Sequence, residues 1–436
     1  MNTLTAAPVA TDCLCPGVPA SGGLSRRSLL RGLAATGALG GVLTAVEGFS
    51  AQFAFAAAPA AYTGDVMVVL SLRGGFDGLN AVVPIGDPGY LQNRPTIGIQ
   101  DRSLIPAGGV FGLHPALKPL KKFWDAGTFG AVHAVGQDNP TRSHFQAMQE
   151  LERAAPGSSL RTGWLDRTLG TRARAGIFQA SQVGSGQVPL SLAGPNPELA
   201  LDSVDSFTIS GAWDTGERKR WTKALTAMNA GAPGPVAAPV AAALSATATT
   251  AKMAATKYQP ANGAAYPADS AVGNALRDVA RMIKADVGLQ VACVDEGDWD
   301  MHAGMGTADQ GWMHDHLNEV ARALAAFATD LGSRFGKVTV VTLSEFGRRV
   351  GENGSGGVDH GHGNAVLLMG GGVNGGKVHG RWPGLSAADL VDGDLAATTD
   401  YRMVLGEILQ KRCGAGSLSQ IFPGLSGSPL GLVKAV

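Results

Sequence analysis

The chain has few of the residues that build disulfide frameworks, nucleic-acid surfaces or charged helical rods. It has 436 residues and only 4 cysteines, and Cys293 and Cys413 are too far apart to form a disulfide scaffold or a cysteine-based metal cluster. Lys+Arg and Asp+Glu both number 35, so a formal net charge of zero gives no electrostatic case for a nucleic-acid partner. A charged fraction of 16% also argues against a coiled coil.

Long apolar runs are missing as well. After residue 56 no segment offers the about 20 consecutive apolar residues that a membrane-spanning helix needs. We therefore expect no stable membrane span in the mature chain. Glycine is abundant, with 62 residues, and hydrophobic residues make up 45% of the chain. This composition predicts a globular, loop-rich protein with a sizeable core.

Residues 1–56 have the features of an export signal. The pair Arg26-Arg27 precedes a mildly apolar stretch at 32–46, and small residues around Ala56 fit signal-peptidase cleavage. This pattern resembles a twin-arginine signal. We therefore expect a periplasmic or extracellular protein that uses the twin-arginine translocase during export. The stretch is too short and too rich in Gly and Ala to span about 30 Å of hydrocarbon securely, although an uncleaved signal anchor stays an alternative.

Strand-like and helix-like segments alternate along the rest of the chain. Short apolar, β-branched runs predict buried strands at 65–72, 129–135, 289–294, 337–343 and 365–369. Amphipathic stretches with helical spacing lie between them. We therefore predict an α/β fold, a three-layer α/β/α domain over residues 57–436 with a mostly parallel central sheet. The Ala/Pro-rich residues 231–268 predict an insertion, either a helix or a flexible surface segment.

Polar side chains flank the predicted strands. In an open parallel sheet, ligands bind outside the carboxyl ends of the strands. Carboxylates, imidazoles and one hydroxyl fall there, in RGGFDGLN, NPTRSHF, DEGDWDMH, SEFGRR and GVDHGHG. Imidazole and carboxylate bind Zn or Mn, and carboxylate-rich sites extend the choice to Mg and Ca. The sequence therefore predicts a metal-assisted hydrolase with one or two divalent ions.

The same residues also allow simpler interpretations. Ser143 opens a predicted helix, which favours a bound phosphate or sulfate group and makes Ser143 a candidate nucleophile, but the position also fits an ordinary N-cap. Asp77 also fits a turn residue. The two dense Asp/His clusters, DWDMH and VDHGHG, are harder to explain without metal. A hydrogen-bond network of histidines without metal would leave neighbouring carboxylates repelling one another.

Several motifs in a fixed order suggest a family. GGFDGLNAVVP, FGLHP, NPTRSHF, TGWLDR, DWDMH, LSEFGRRVGENGSGGVDHGHG and GGGVNGGKVHG together resemble the domain of unknown function 1501 family over about residues 65–412. That family is similar to the alkaline phosphatase and sulfatase superfamily. The resemblance implies an α/β/α fold with a mononuclear or dinuclear metal site at the carboxyl edge of the sheet.

The resemblance also implies roles for individual residues. Six side chains are expected to hold metal: Asp77, Asp300, His302, Asp359, His360 and His362. Ser143 takes the place of the nucleophile, and Arg348 is expected near the anion. Asp298 stays an alternative to Asp300, and His379 an alternative to His362.

Together these features predict an exported metallohydrolase that acts on a phosphate or sulfate ester, carried by an anionic small molecule or a polysaccharide. The alternative is a non-catalytic exported binding or assembly protein with the same fold, in which metal only fixes loops.

Overall fold

The computed structural model describes residues 64–138, 141–172 and 176–436, without the side chains of residues 234–235. The predicted export signal lies outside the described residues. The strands are β1 (Val66–Leu72), β2 (Val82–Val83), β3 (Ile105–Gly108), β4 (Phe111–Leu113), β5 (Phe129–Gly136), β6 (Ala180–Val183), β7 (Leu199–Leu201), β8 (Val291–Glu296), β9 (Val338–Leu343), β10 (Asn364–Gly370), β11 (Val378–His379), β12 (Leu390–Val391), β13 (Asp394–Leu395) and β14 (Thr399–Asp400). The α-helices are α1 (Gly78–Ala81), α2 (Pro88–Asn93), α3 (Lys121–Asp125), α4 (His144–Arg153), α5 (Trp164–Gly170), α6 (Thr215–Asn229), α7 (Gly234–Ala254), α8 (Ala271–Lys284), α9 (Trp312–Leu331), α10 (Tyr401–Lys411) and α11 (Leu418–Ile421).

A nine-stranded sheet forms the centre of the described chain. Its order is β11-β5-β10-β9-β1-β8-β6-β7, and β14 pairs with β5 beside this path. Strand β10 runs antiparallel to β9 and β5, and the other pairings are parallel. All five strands predicted from apolar runs belong to this sheet, as β1, β5, β8, β9 and β10. The predicted α/β class with a mostly parallel sheet is confirmed.

The direction of β10 decides where the segment before it lies. Asn364, the first residue of β10, pairs with Val135 near the end of β5. Because β10 is antiparallel, the residues that precede it emerge at the edge where the parallel strands end. The segment VDHGHG therefore meets the loops that follow β1, β5, β8 and β9.

Helices cover both faces of the sheet. Side chains alternate along β1, so that Val68 and Leu70 face one layer and Met67 and Val69 face the other. Helices α8 and α9 supply the first layer through the apolar side chains Val272, Leu276, Val279, Leu317 and Leu324. Helices α5 and α10 supply the second through Trp164, Leu165, Val404, Leu405 and Ile408. The three layers follow from strands that are apolar on both faces.

The Ala/Pro-rich insertion contains a helix, α7, and so resolves the alternative that the sequence left open. Among the described side chains of α7, Ala246 and Thr250 are buried. No helix in the described part of the chain is long and apolar enough to cross a membrane.

A buried carboxylate fastens the C-terminal segment to α10. Glu407 is 4% exposed and accepts hydrogen bonds from the backbone N–H groups of Leu430, Gly431 and Leu432 at 2.6–2.9 Å, and from Lys411 at 2.7 Å. Burial acts to raise the pKa of Glu407, but the hydrogen bonds from Lys411 and the backbone outweigh it and lower the pKa. The ionised carboxylate is therefore the form that the fold stabilises.

We expect Glu407→Gln to lower the free energy of unfolding at pH 7 by about 1–3 kcal/mol, because a hydrogen-bonded buried charge is lost. A carboxylate with a lowered folded-state pKa stabilises the fold above its unfolded pKa of about 4.3, and this contribution disappears as pH falls through the folded value. Urea unfolding of wild type and variant at pH 7 and pH 3 measures the difference. Asp125→Asn, which removes a surface pair with Lys121, is the control and should have a smaller effect. A difference that does not change with pH contradicts the assignment.

Candidate metal centre

Three imidazoles and one carboxylate converge at the carboxyl edge of the sheet. His144 follows β5, Asp300 and His302 follow β8, and His360 precedes β10. His360 Nε2 lies 3.0 Å from Nε2 of His144 and 3.0 Å from Nε2 of His302. Asp300 Oδ1 lies 3.1 Å from Nε2 of both His302 and His360, and its Oδ2 is 3.5 Å from His144 Nε2. We call these four residues the His/Asp cluster.

The other nitrogen of each ring is held by an oxygen acceptor. His144 Nδ1 lies 2.7 Å from Glu345 Oε1, and His302 Nδ1 lies 2.7 Å from Asp359 Oδ1. His360 Nδ1 lies 2.8 Å from the backbone carbonyl oxygen of Arg142. Carbonyl and carboxylate oxygens accept hydrogen bonds, so we assign a proton to each Nδ1. In the neutral rings, each Nε2 then carries a lone pair that points into the His/Asp cluster.

This arrangement suits a bound cation. Three nitrogen lone pairs and an ionised carboxylate repel one another at such short distances unless a proton or a metal ion lies between them. Metal-bound histidines have this pattern, with one nitrogen on the ion and the other N–H on a carboxylate or carbonyl. Neighbouring ligand atoms around a tetrahedral ion with bonds of about 2.0–2.1 Å lie about 3.4 Å apart. The 3.0, 3.1 and 3.5 Å that separate the ligand atoms of His144, His360 and Asp300 fit a single ion, and His302 Nε2 lies 3.0 Å from His360 Nε2.

Arg348 fixes the aspartate of the cluster. Its buried guanidinium donates to Asp300 Oδ1 at 2.7 Å and to the backbone carbonyls of Gly74, Gly75, Trp299 and Val358. Partial burial acts to raise the pKa of Asp300, but the hydrogen bond from Arg348, together with the contacts with His360 and His302, outweighs it and lowers the pKa to about 2. Asp300 is therefore ionised at neutral pH and ready to bind a cation.

The expected position of Arg348 near a substrate anion needs correction. The side chain is 0% exposed, and its donors are taken by carbonyl oxygens and Asp300. A guanidinium that is fully enclosed by the protein cannot contact a phosphate or sulfate that binds at the surface. Arg348 acts on the His/Asp cluster by orienting Asp300.

Asp77 also lies outside the His/Asp cluster. Arg94, which is fully buried, contacts both carboxylate oxygens of Asp77 and donates to Oδ1 at 2.9 Å. Asp77 Oδ2 also accepts the backbone N–H of Asn80 and so caps α1. The geometry therefore supports an internal ion pair for Asp77 in place of the expected metal-ligand role.

The remaining candidate histidines are bound to the backbone. His362 Nε2 lies 2.8 Å from the carbonyl oxygen of Gln137, and His379 Nε2 lies 2.8 Å from that of Asn374. Neither ring joins the His/Asp cluster through that nitrogen. Asp300 is the carboxylate of DWDMH in the His/Asp cluster, because its oxygens lie 3.1–3.5 Å from the three imidazoles.

Asp359 and His302 were both expected to bind metal. Asp359 instead lies on the Nδ1 side of the His302 ring. Its contact with His302 Nδ1, together with a hydrogen bond of 3.1 Å from Asn353 Nδ2, gives it the position of a ligand support. The hydrogen bonds from His302 and Asn353 lower the pKa of Asp359.

Sequence reasoning missed Glu345 and did not select His144. Glu345 is 3% exposed and binds His144 Nδ1 and the backbone N–H of Gly74 through the same oxygen, while Ser344 Oγ donates to the other. Both residues stood in motifs already singled out, NPTRSHF and SEFGRR. The available signal was their position directly after predicted strands.

Ser143 precedes α4 and is the chain neighbour of His144. It occupies the N-cap position with extended backbone angles, but its hydroxyl makes no capping hydrogen bond. The Ser143 side chain therefore does not act as an ordinary N-cap. Because the first N–H groups of an α-helix are unpaired, the adjacent space suits an anionic group.

The His/Asp cluster is open to solvent on its outer side. The side chains of His144, Asp300, His302 and His360 are 30%, 46%, 44% and 20% exposed. The Phe346 ring lies 4.8 Å from the His144 and His360 rings and closes the inner side. A ligand can therefore approach from outside.

Comparison with known proteins gives a family and a distant similarity to a solved structure. The family model described as "Protein of unknown function (DUF1501)" matches residues 126–407. No curated protein matches. A solved structure of the C-terminal periplasmic domain of EcEptC from Escherichia coli, a complex with Zn, is 9% identical and covers 72% of this chain and 74% of that chain with a TM-score of 0.28. Because the family match spans more than half of the chain, this protein belongs to the DUF1501 family of proteins of unknown function.

Proposed function

We propose that this chain is an exported metal-dependent hydrolase that acts on a phosphate or sulfate ester. The observation that carries the proposal is the convergence of three imidazole Nε2 atoms and the ionised Asp300 at an open edge of the sheet. Such a set is open on the side from which a substrate arrives, as catalytic metal sites are.

The donor set favours a transition metal. Mg and Ca prefer sites made of oxygen, whereas three imidazoles suit Zn, Mn or a similar ion. His144, His360 and Asp300 would hold one such ion, and His302 lies beside His360. A bound ion would polarise the ester oxygen and stabilise the negative charge that develops there.

Ser143 is the nucleophile in this proposal. Its hydroxyl makes no capping bond, and it stands at the start of a ten-residue helix whose N–H groups favour the anionic group of an ester. Ser143 Oγ would bond to phosphorus or sulfur and release its proton to water, while the ester oxygen leaves and takes a proton from water. A water molecule then cleaves the seryl ester, releases the inorganic anion and restores the hydroxyl.

The second candidate is a non-catalytic exported binding or assembly protein. It is favoured by the internal engagement of Arg348 and Asp77, which leaves the site without two groups expected to contact substrate or metal. The cluster would then fix the four loops that meet at the edge.

The proposal that the chain is exported rests on the Arg26-Arg27 motif and the following apolar stretch. We propose that the twin-arginine translocase carries the folded chain to the periplasm or outside the cell. Its substrate there would be an anionic small molecule or a polysaccharide ester.

The most direct test of metal binding compares variants of His360 and His362, which lie in the same short segment. We expect wild type to bind about one equivalent of Zn or Mn and His360→Ala to lose it, because His360 Nε2 contacts the other ligands. His362→Ala is the matched control and should keep the ion, since His362 binds a backbone carbonyl. Mass spectrometry measures the metal content of the three proteins. Equal metal content in all three proteins contradicts the assigned cluster.

Glu345 is expected to act through His144. Glu345→Gln keeps the size of the side chain but removes the charge that holds the Nδ1 proton, and metal affinity should fall by about 10- to 100-fold. Competition with a chromophoric chelator measures the affinity. Unchanged affinity in a folded variant would remove Glu345 from the site.

Hydrolysis is tested with aryl phosphates and aryl sulfates. We expect metal-dependent turnover by wild type, and a loss of at least about a hundredfold in kcat for Ser143→Ala with the metal retained. Thr247→Ala, which removes a hydroxyl that bonds only to the backbone of its own helix α7, is the control. Metal-dependent melting without turnover of any ester favours the second candidate. Full turnover by Ser143→Ala leaves hydrolysis standing but excludes the serine as nucleophile.

A further inference from the structure

Helix α6 contributes almost nothing to the core. None of its 15 residues is buried. Trp221 is 49% exposed, Met228 is 67% exposed, and Trp213, just before the helix, is 88% exposed. Large apolar side chains so close together on a surface indicate an interaction site.

The apolar residues of α6 form a stripe, in which Leu225 is half-buried and the other three are exposed. Trp221, Ala224, Leu225 and Met228 have the spacing i, i+3, i+4 and i+7, so they share one side of the helix. At 3.6 residues per turn, Arg218 and Arg220 lie about 60° and 100° to either side of Trp221. Arg220 is 75% exposed, and its nearest acidic partner, Glu217, is 3.9 Å away. Two cations thus border an apolar stripe that contains a tryptophan.

The region has a net positive charge. Helix α6 carries Arg218, Lys219, Arg220 and Lys223 against the single acid Glu217, a formal charge of plus three. Helix α7 packs beside it and has no charged residue before Lys252. The chain as a whole has a formal net charge of zero, so this basic region is local.

We propose that the α6 stripe binds the surface of an anionic lipid bilayer. A helix that lies in the bilayer interface buries an apolar face containing tryptophan and keeps arginines at the level of the headgroups. Arginine and lysine near an anionic bilayer add electrostatic attraction. A second copy of this chain fits less well, since a symmetric contact would bring the four cations against their equals. The inference is independent of the hydrolase proposal.

Sedimentation with vesicles tests this. The full chain should bind vesicles that contain one-third phosphatidylglycerol more tightly than vesicles of phosphatidylcholine alone, and less tightly as salt rises. Arg218→Ser with Arg220→Ser should weaken binding to the anionic vesicles by about fivefold per arginine. Trp221→Ser with Met228→Ser should weaken it by at least about tenfold. All variants keep the same N-terminal segment, so its membrane affinity is a constant background.

Two surface variants elsewhere serve as controls. Val391→Ser removes an exposed apolar side chain, and Arg322→Ser removes an exposed cation. Both should bind like wild type. The proposal is overturned if the α6 variants bind vesicles as wild type does, or if control and α6 variants lose the same affinity. It is also overturned if light scattering detects a dimer that Trp221→Ser with Met228→Ser dissociates.

Discussion

The carboxyl edge of the sheet depends on the buried guanidinium of Arg348. A buried charge is costly unless each donor finds an acceptor, and here the acceptors are carbonyl oxygens from the loops after β1 and β8 and from the segment before β10. These three loops must therefore close around one side chain. The same guanidinium holds Asp300, so the position of the cluster carboxylate follows from the packing of the loops.

The imidazoles of the His/Asp cluster are also held by hydrogen bonds between different loops. Each imidazole is anchored through Nδ1 to an acceptor on another loop, which fixes both its tautomer and its direction. Glu345 and Arg348, which support the cluster from inside, are buried, whereas the four side chains of the His/Asp cluster are partly exposed. A buried interior thus supports an open surface that could hold a metal ion.

A second buried ion pair explains why the early aspartate was misleading. Asp77 follows β1 in a motif that resembles a metal-ligand position, yet Arg94, 17 residues later in the chain, occupies both of its oxygens. The local sequence does not predict that Arg94 pairs with Asp77, because the contact forms only when α2 folds back against the carboxyl edge of the sheet. Arg348 was misjudged for a similar reason: its motif shows a cation near the site but not the carbonyls that enclose it.

The sequence by itself determined five strands of the central sheet, the α/β class and the segments that carry the polar residues, since buried strands need apolar side chains on both faces. Only the tertiary structure decided which of those residues meet. His360 reaches His144 and Asp300 because β10 runs antiparallel and turns its beginning toward the ends of the other strands. Strand direction depends on pairing between distant segments, and hydrogen-bond partners depend on loop closure. Neither is encoded in the local pattern that sequence reasoning uses.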